Sequence, residues 1–229
     1  MPGLKRTERL ADDFFLMVHD DLSGRPRLSD RILGLGLAGA LLCELAILRA
    51  IDVEDGELTT STDREDGNTT TAGADEPSSL TSELVREVRG EQRLPVRDWL
   101  NYLAADAAER VAGRMAAEAL VYRKTSRLKL LGVSDRWMPM DTTTAEWPAI
   151  DVKLKVHNGN AYTHHLVLFG LTRATGLRHP SLFEVQGRLE DPAALEKTLE
   201  PLDGTLPLRQ LLAHTEAAVG SAVTSQRIG

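Results

Sequence analysis

With 229 residues, 42% of them hydrophobic, the chain is long and apolar enough to bury a substantial core, and one domain over residues 1–229 is expected. A formal charge of −7 argues against broad electrostatic attraction to nucleic acid or to anionic lipid, so either partner requires a local basic patch. The lone Cys43 excludes an internal disulfide and fits a reducing, cytoplasmic compartment.

The first segment, Met1 to Arg9, is short and charged and leads into Asp12 and Asp13, which is not the pattern of a signal peptide. An acidic amphipathic helix is expected from Leu10. A polar turn carrying Gly24 and Pro26 joins it to a long apolar helix from Ser29 to Arg49. In that helix Ile32, Leu33, Leu37, Leu41, Leu42, Leu45 and Leu48 recur at three- and four-residue steps, with Ser29 as N-cap. Gly34, Gly36 and Gly39 thin its other sides. A helical glycine costs about 1 kcal/mol against alanine, so three within two turns imply close packing or a nearby ligand. Cys43, within the same apolar run, is expected to be a packed thiol. The apolar stretch Ile32 to Ile47 is interrupted by Glu44 and falls short of the roughly 20 residues a spanning helix needs. Any membrane contact is therefore expected to be peripheral.

The same glycines spell Gly34-x-Gly36-x-x-Gly39, with Asp52 at about the distance of the ribose-binding acid of a dinucleotide fold. That fingerprint needs a buried strand running into its first glycine. Arg27, Ser29, Asp30 and Arg31 occupy that place, so the nucleotide-binding enzyme stands as the weaker alternative and no cofactor is expected.

Asp52 to Thr60 reads as a tight hairpin turning at Asp55-Gly56. Residues 61–79 are rich in Ser, Thr, Gly and Asp and are expected to form a flexible acidic loop. Helices are expected over Ser79–Arg89, Val96–Ala104 and Ala105–Leu120, with Pro95 separating the first two. Val121 to Asp141 reads as two strands around Ser134-Asp135. Tyr162 to Leu177 reads as a core helix ended by Gly176, Asp191-Pro192 opens a helix to about Leu202, and Leu208 to Val223 forms the last one. Met1–Thr7 and Thr224–Gly229 are expected to fray. The fold class is therefore mainly α, with one or two small β-hairpins.

No catalytic pattern stands out. His157, His164 and His165 have no Asp, Glu or Cys at a ligand-like step, so no metal site is expected. Paired carboxylates, a Gly-x-Ser-x-Gly turn and a phosphate loop are missing as well. The order helix, helix, hairpin also suits a winged-helix DNA reader, with Arg127 and Lys129 along phosphates. Ala105 to Leu120 offers only two arginines to base edges, however, so nucleic acid is the weaker partner.

Several segments, in order, carry a family resemblance: Leu10-Ala-Asp-Asp-Phe-Phe-Leu-Met, Asp20-Asp-Leu-Ser-Gly24, Gly36-Leu-Ala-Gly-Ala-Leu-Leu-Cys-Glu44-Leu-Ala and Ile51-Asp-Val-Glu-Asp. Val96-Arg-Asp-Trp99-Leu and the run from Glu109 to Val121 agree. The chain resembles the Golgi phosphoprotein 3 (GPP34) family over most of its length to about Leu177. The resemblance implies a compact helical fold that docks on membranes through phosphatidylinositol 4-phosphate, a projecting hydrophobic hairpin, self-association and no catalysis. It also implies a headgroup pocket built from a Trp and three Arg. Those four positions are Ser29, Ala38, Ala105 and Ala108 here, and none offers a charge to a phosphate.

The basic segment at 121–141 is the expected substitute. Arg123, Lys124, Arg127 and Lys129 stand beside Leu128, Leu130, Leu131 and Trp137, a mixture that suits an interfacial anchor on an anionic phospholipid surface. Arg110 and Arg114, one turn apart on the preceding helix, are expected to present cations toward the hairpin base. The expected function is thus a non-catalytic peripheral membrane or adaptor protein, with a protein partner or a second copy supplying avidity.

Overall fold

The computed structural model describes residues 9–60, 80–91, 94–125, 135–188, 190–204 and 207–228. Its described elements are mainly helical, with two antiparallel two-stranded sheets, as the periodicity predicts. Helix α1 (Leu10–Val18) buries nearly all of its residues, including Phe14, Phe15 and Met17. A turn closed by Asp20, whose side chain accepts from the backbone N–H and the hydroxyl of Ser23, leads to α2 (Asp30–Ile47).

Helix α2 is the axis of the molecule. From Leu33 to Ala46 every residue is buried, and α1, α4, α5, α7 and α10 pack around it. The three glycines are where this packing is closest. A Cβ on Gly34 would stand 2.2 Å from the carbonyl oxygen of Ala104, one on Gly36 2.8 Å from Phe14 and Thr175, and one on Gly39 2.5 Å from the Thr215 hydroxyl. Close helix contact therefore accounts for the glycine spacing.

Strands β1 (Ile51–Glu54) and β2 (Glu57–Thr60) form the expected hairpin, with Asp55 and Gly56 both at positive φ. Helices α3 (Leu80–Gly90), α4 (Val96–Leu103) and α5 (Ala107–Ala117) follow, and Val96, Trp99, Leu100 and Leu103 seat α4 in the core. The second hairpin pairs β3 (Val121–Lys124) with β4 (Arg136–Pro139).

Two helices, Thr142–His157 and Phe183–Arg188, were not anticipated from the sequence. Helix α6 (Thr142–His157) starts at Asp141, whose carboxylate accepts from the backbone of Thr143 and Thr144, and continues through Pro148. Helix α7 (Thr163–Thr175) ends at Gly176 with φ of 68°, and α8 (Phe183–Arg188) and α9 (Pro192–Leu199) lead to α10 (Leu208–Ile228). The last helix runs past Val223 to Ile228. The expectations for Met1–Thr7 and for the acidic loop at 61–79 lie outside the described residues.

Candidate membrane-contact site

Helix α5 and the β3–β4 hairpin carry the cations singled out in the sequence, and the structure sorts them by depth. Arg114 lies deepest. Its side chain is 6% exposed and is clamped by two buried carboxylates: Nε and Nη2 donate to Asp12 Oδ1 at 3.0 and 2.6 Å, and Nη1 donates to Glu44 Oε1 at 2.7 Å. Glu44 also accepts from the backbone N–H of Ala11 at 3.1 Å. This triad ties α1, α2 and α5 together in the interior. Arg114 is therefore a core ion-pair residue and presents no surface cation, because two desolvated carboxylates take its donors.

The triad holds two carboxylates against one guanidinium, and Asp12 Oδ2 is buried without a hydrogen-bond partner. Burial consequently raises the Asp12 carboxyl to about 7 despite the opposing effect of Arg114. Arg110, one turn earlier, is likewise engaged, donating at 2.8 Å to both Glu87 and Asp106. Its charge is spent on tying α5 to α3 and to its own N-terminus, not directed at the hairpin base.

The hairpin is different. Val121 is buried and anchors β3, whereas Tyr122, Arg123 and Lys124 are exposed. Across the ladder Arg123 faces Trp137 and Lys124 faces Arg136, so the two strands place three cations at one end of the ribbon. The Arg123 guanidinium lies 5.6 Å from the centroid of the Trp137 ring and 3.4 Å from Asp135. Trp137 is half-buried: it packs on the core, and its indole N–H points to Glu109 on α5 at 3.4 Å. Below it, the loop at Gly24 closes on the strand so tightly that a Cβ would meet the Trp137 carbonyl oxygen at 2.5 Å. Trp137 thus fastens the base of the hairpin to the body. Arg127, Leu128, Lys129, Leu130 and Leu131 lie outside the described residues.

Of the four positions that the resemblance aligns with a headgroup pocket, Ala38 is fully buried in α2. A cavity of about 350 Å³ between α2, α4 and α10 is lined by Arg31, Arg97, Asn101 and Ser221, with the Arg31 guanidinium donating to the Asn101 side chain.

Comparison with known proteins bears on the whole of this arrangement. The family model for Golgi phosphoprotein 3 (GPP34) matches residues 10–219. The chain belongs to the GPP34 family. No curated protein matches it. GPP34 membership supports an adaptor kind of role, and the match runs from the first residue of α1 well into α10, beyond the stretch to Leu177 that carried the resemblance. The dinucleotide alternative is left without its structural premise, since a turn and not a strand precedes α2 in this GPP34 chain. Among the described residues no helix is long and apolar enough to cross a membrane, and no group of His, Cys, Asp or Glu suits a metal ion.

Proposed function

We propose that this GPP34 protein is a non-catalytic, cytoplasmic, peripheral membrane adaptor that contacts anionic phospholipid through the β3–β4 hairpin. The observation that carries the reading is the ribbon itself. Arg123 and Lys124 are exposed next to Tyr122, on strands whose base is pinned by Trp137. Each Lys or Arg held near an anionic surface contributes about 1 kcal/mol, and an exposed ring at headgroup depth adds apolar burial. Arg127 and Lys129, with Leu128, Leu130 and Leu131, are assigned to the same contact on their sequence alone. The net charge of −7 makes the attraction local, so that a second copy or a protein partner supplies avidity.

This mode reads charge more than headgroup identity. Flotation of the protein with vesicles of phosphatidylserine or phosphatidylinositol 4-phosphate, matched in total charge, is expected to give equal binding. A marked preference for phosphatidylinositol 4-phosphate would contradict charge-only recognition. If Arg31→Ala with Arg97→Ala then abolished that preference, the headgroup would be assigned to the cavity that these two arginines line.

A further inference from the structure

The two sides of the β3–β4 ribbon have different surroundings. Residues opposite one another in an antiparallel ladder share a face, so Tyr122, Lys124, Arg136 and Met138 lie on one side and Val121, Arg123 and Trp137 on the other. The second side is turned to the body, where Val121 is buried and Trp137 reaches Glu109 on α5. The first side carries the turn between α1 and α2. A Cβ on Gly24 would meet Met138 Sδ at 2.6 Å, so the turn seals Met138 and leaves Tyr122 and Lys124 exposed beside it. Met140, whose backbone N–H continues the ladder to the Leu120 carbonyl oxygen, is 59% exposed.

That turn is tied down, and it projects a leucine. The Asp20 carboxylate accepts from the Ser23 hydroxyl and from the Arg27 guanidinium, and the Asp20 backbone exchanges hydrogen bonds with Gly24 and Arg25. His19 and Pro26 close the base as an isolated β-bridge. Leu22, at the tip, is 77% exposed, the highest value of any large apolar side chain among the described residues. A single exposed leucine is ordinary on a protein surface, but this one shares its surroundings with a ring, a thioether and several cations. Arg25 is exposed, as is Lys124, and among the described residues neither of them nor Arg136 pairs with a carboxylate. The nearby acids are committed elsewhere: Asp20 to Arg27, Asp135 to Arg123 and Asp141 to the N-terminus of α6. Asp21, half-buried, is the other carboxylate of the turn, against three cations.

We propose that the α1–α2 turn is a second membrane anchor, with Leu22 entering an anionic phospholipid bilayer alongside Tyr122 and Met140 while Arg25, Lys124 and Arg136 meet its headgroups. The role of the turn rests on the hairpin contact proposed above and continues that surface onto a second element. It also fixes which side of the ribbon meets lipid: the side of Tyr122, not that of Trp137, whose ring is spent on the body. Separate apolar side chains rising among unpaired cations suit a bilayer interface, where headgroups overlie acyl chains, whereas a protein partner calls for a contiguous apolar patch.

The test places a probe on the turn. Leu22→Cys in the full chain is labelled with an environment-sensitive nitrobenzoxadiazole group, Cys43 being buried and unreactive. The labelled protein is mixed with vesicles of phosphatidylserine or of phosphatidylcholine that carry a spin label on their acyl chains. Emission is expected to shift to the blue and to be quenched with phosphatidylserine and not with phosphatidylcholine. In the unlabelled protein, Leu22→Glu combined with Arg25→Glu is expected to weaken phosphatidylserine binding about tenfold with unaltered melting temperature, since both side chains are exposed. A probe that stays in water while the protein sediments with the vesicles, or a double variant that binds as the wild type does, would overturn the anchor and leave the hairpin contact standing. A quenched probe and release of the double variant, with continued binding when Arg123, Lys124, Arg127 and Lys129 are changed to Glu, would support the turn and contradict the hairpin. Absence of vesicle binding by the wild type would overturn both.

Discussion

Arg114 Nη2 stands 2.6 Å from Asp12 Oδ1, a contact between residues 102 positions apart that fixes α5 against the first helix. Removing the guanidinium would leave two carboxylates in the interior. Arg114→Met is therefore expected to destabilise the fold by about 3–5 kcal/mol, measured by urea unfolding, whereas Arg123→Met on the exposed hairpin should change stability by less than about 0.5 kcal/mol. Comparable losses for the two would contradict the structural role of the triad.

Asp12 gives the triad a pH signature. Its folded carboxyl titrates near 7 against 3.8 for the free group, so between these values the folded state holds a proton that the unfolded state has released. Stability is therefore expected to fall as pH rises from about 4 to about 7 and then to level off. In Asp12→Asn that decline should largely disappear. A wild-type melting temperature that climbs across this range in proportion to Asp12 ionisation, and an Asn variant that tracks it, would reject the assignment.

The glycines of α2 and α5 predict opposite signs for one substitution. Gly34→Ala places a Cβ 2.2 Å from a backbone oxygen that cannot turn away, and is expected to cost about 1–3 kcal/mol. Gly113, in α5, has nothing within 4 Å of the added carbon, so Gly113→Ala should stabilise by up to about 1 kcal/mol through helix propensity alone. Chemical denaturation of the two variants separates packing from propensity.

Cys43 is fully buried in the middle of α2, and burial pushes its thiol well above the usual range. A thiol reagent is expected to leave the native protein unmodified and to label it at the rate of unfolding. Rapid labelling under native conditions would mean that α2 is not sealed by its neighbours.

What the sequence disclosed followed from locality. The i, i+3, i+4 run of leucines in α2, the Asp55-Gly56 turn and the Gly176 stop are all decided within a few residues, and each appears where its pattern places it. Helix α6 was hidden because Pro148 and the Thr142–Thr144 run both weigh against a helix, while the Asp141 cap and burial of Ala145, Ala149 and Val152 outweigh them. The depth of Arg114 was illegible for another reason. On an alanine-rich helix it looks like a surface cation, and only the approach of Asp12 and Glu44 from distant helices reveals it as an interior one. The same holds for His164 and His165, which read as core-helix residues until Asp13 and Asp151 meet them.

The most direct test of the membrane reading is co-sedimentation with phosphatidylserine vesicles at low salt, comparing wild type with a variant in which Arg123, Lys124, Arg127 and Lys129 are all changed to Glu. Wild type is expected in the pellet and the variant in the supernatant, with unaltered melting temperature. Equal sedimentation of the two would show that the hairpin does not hold the protein to the bilayer.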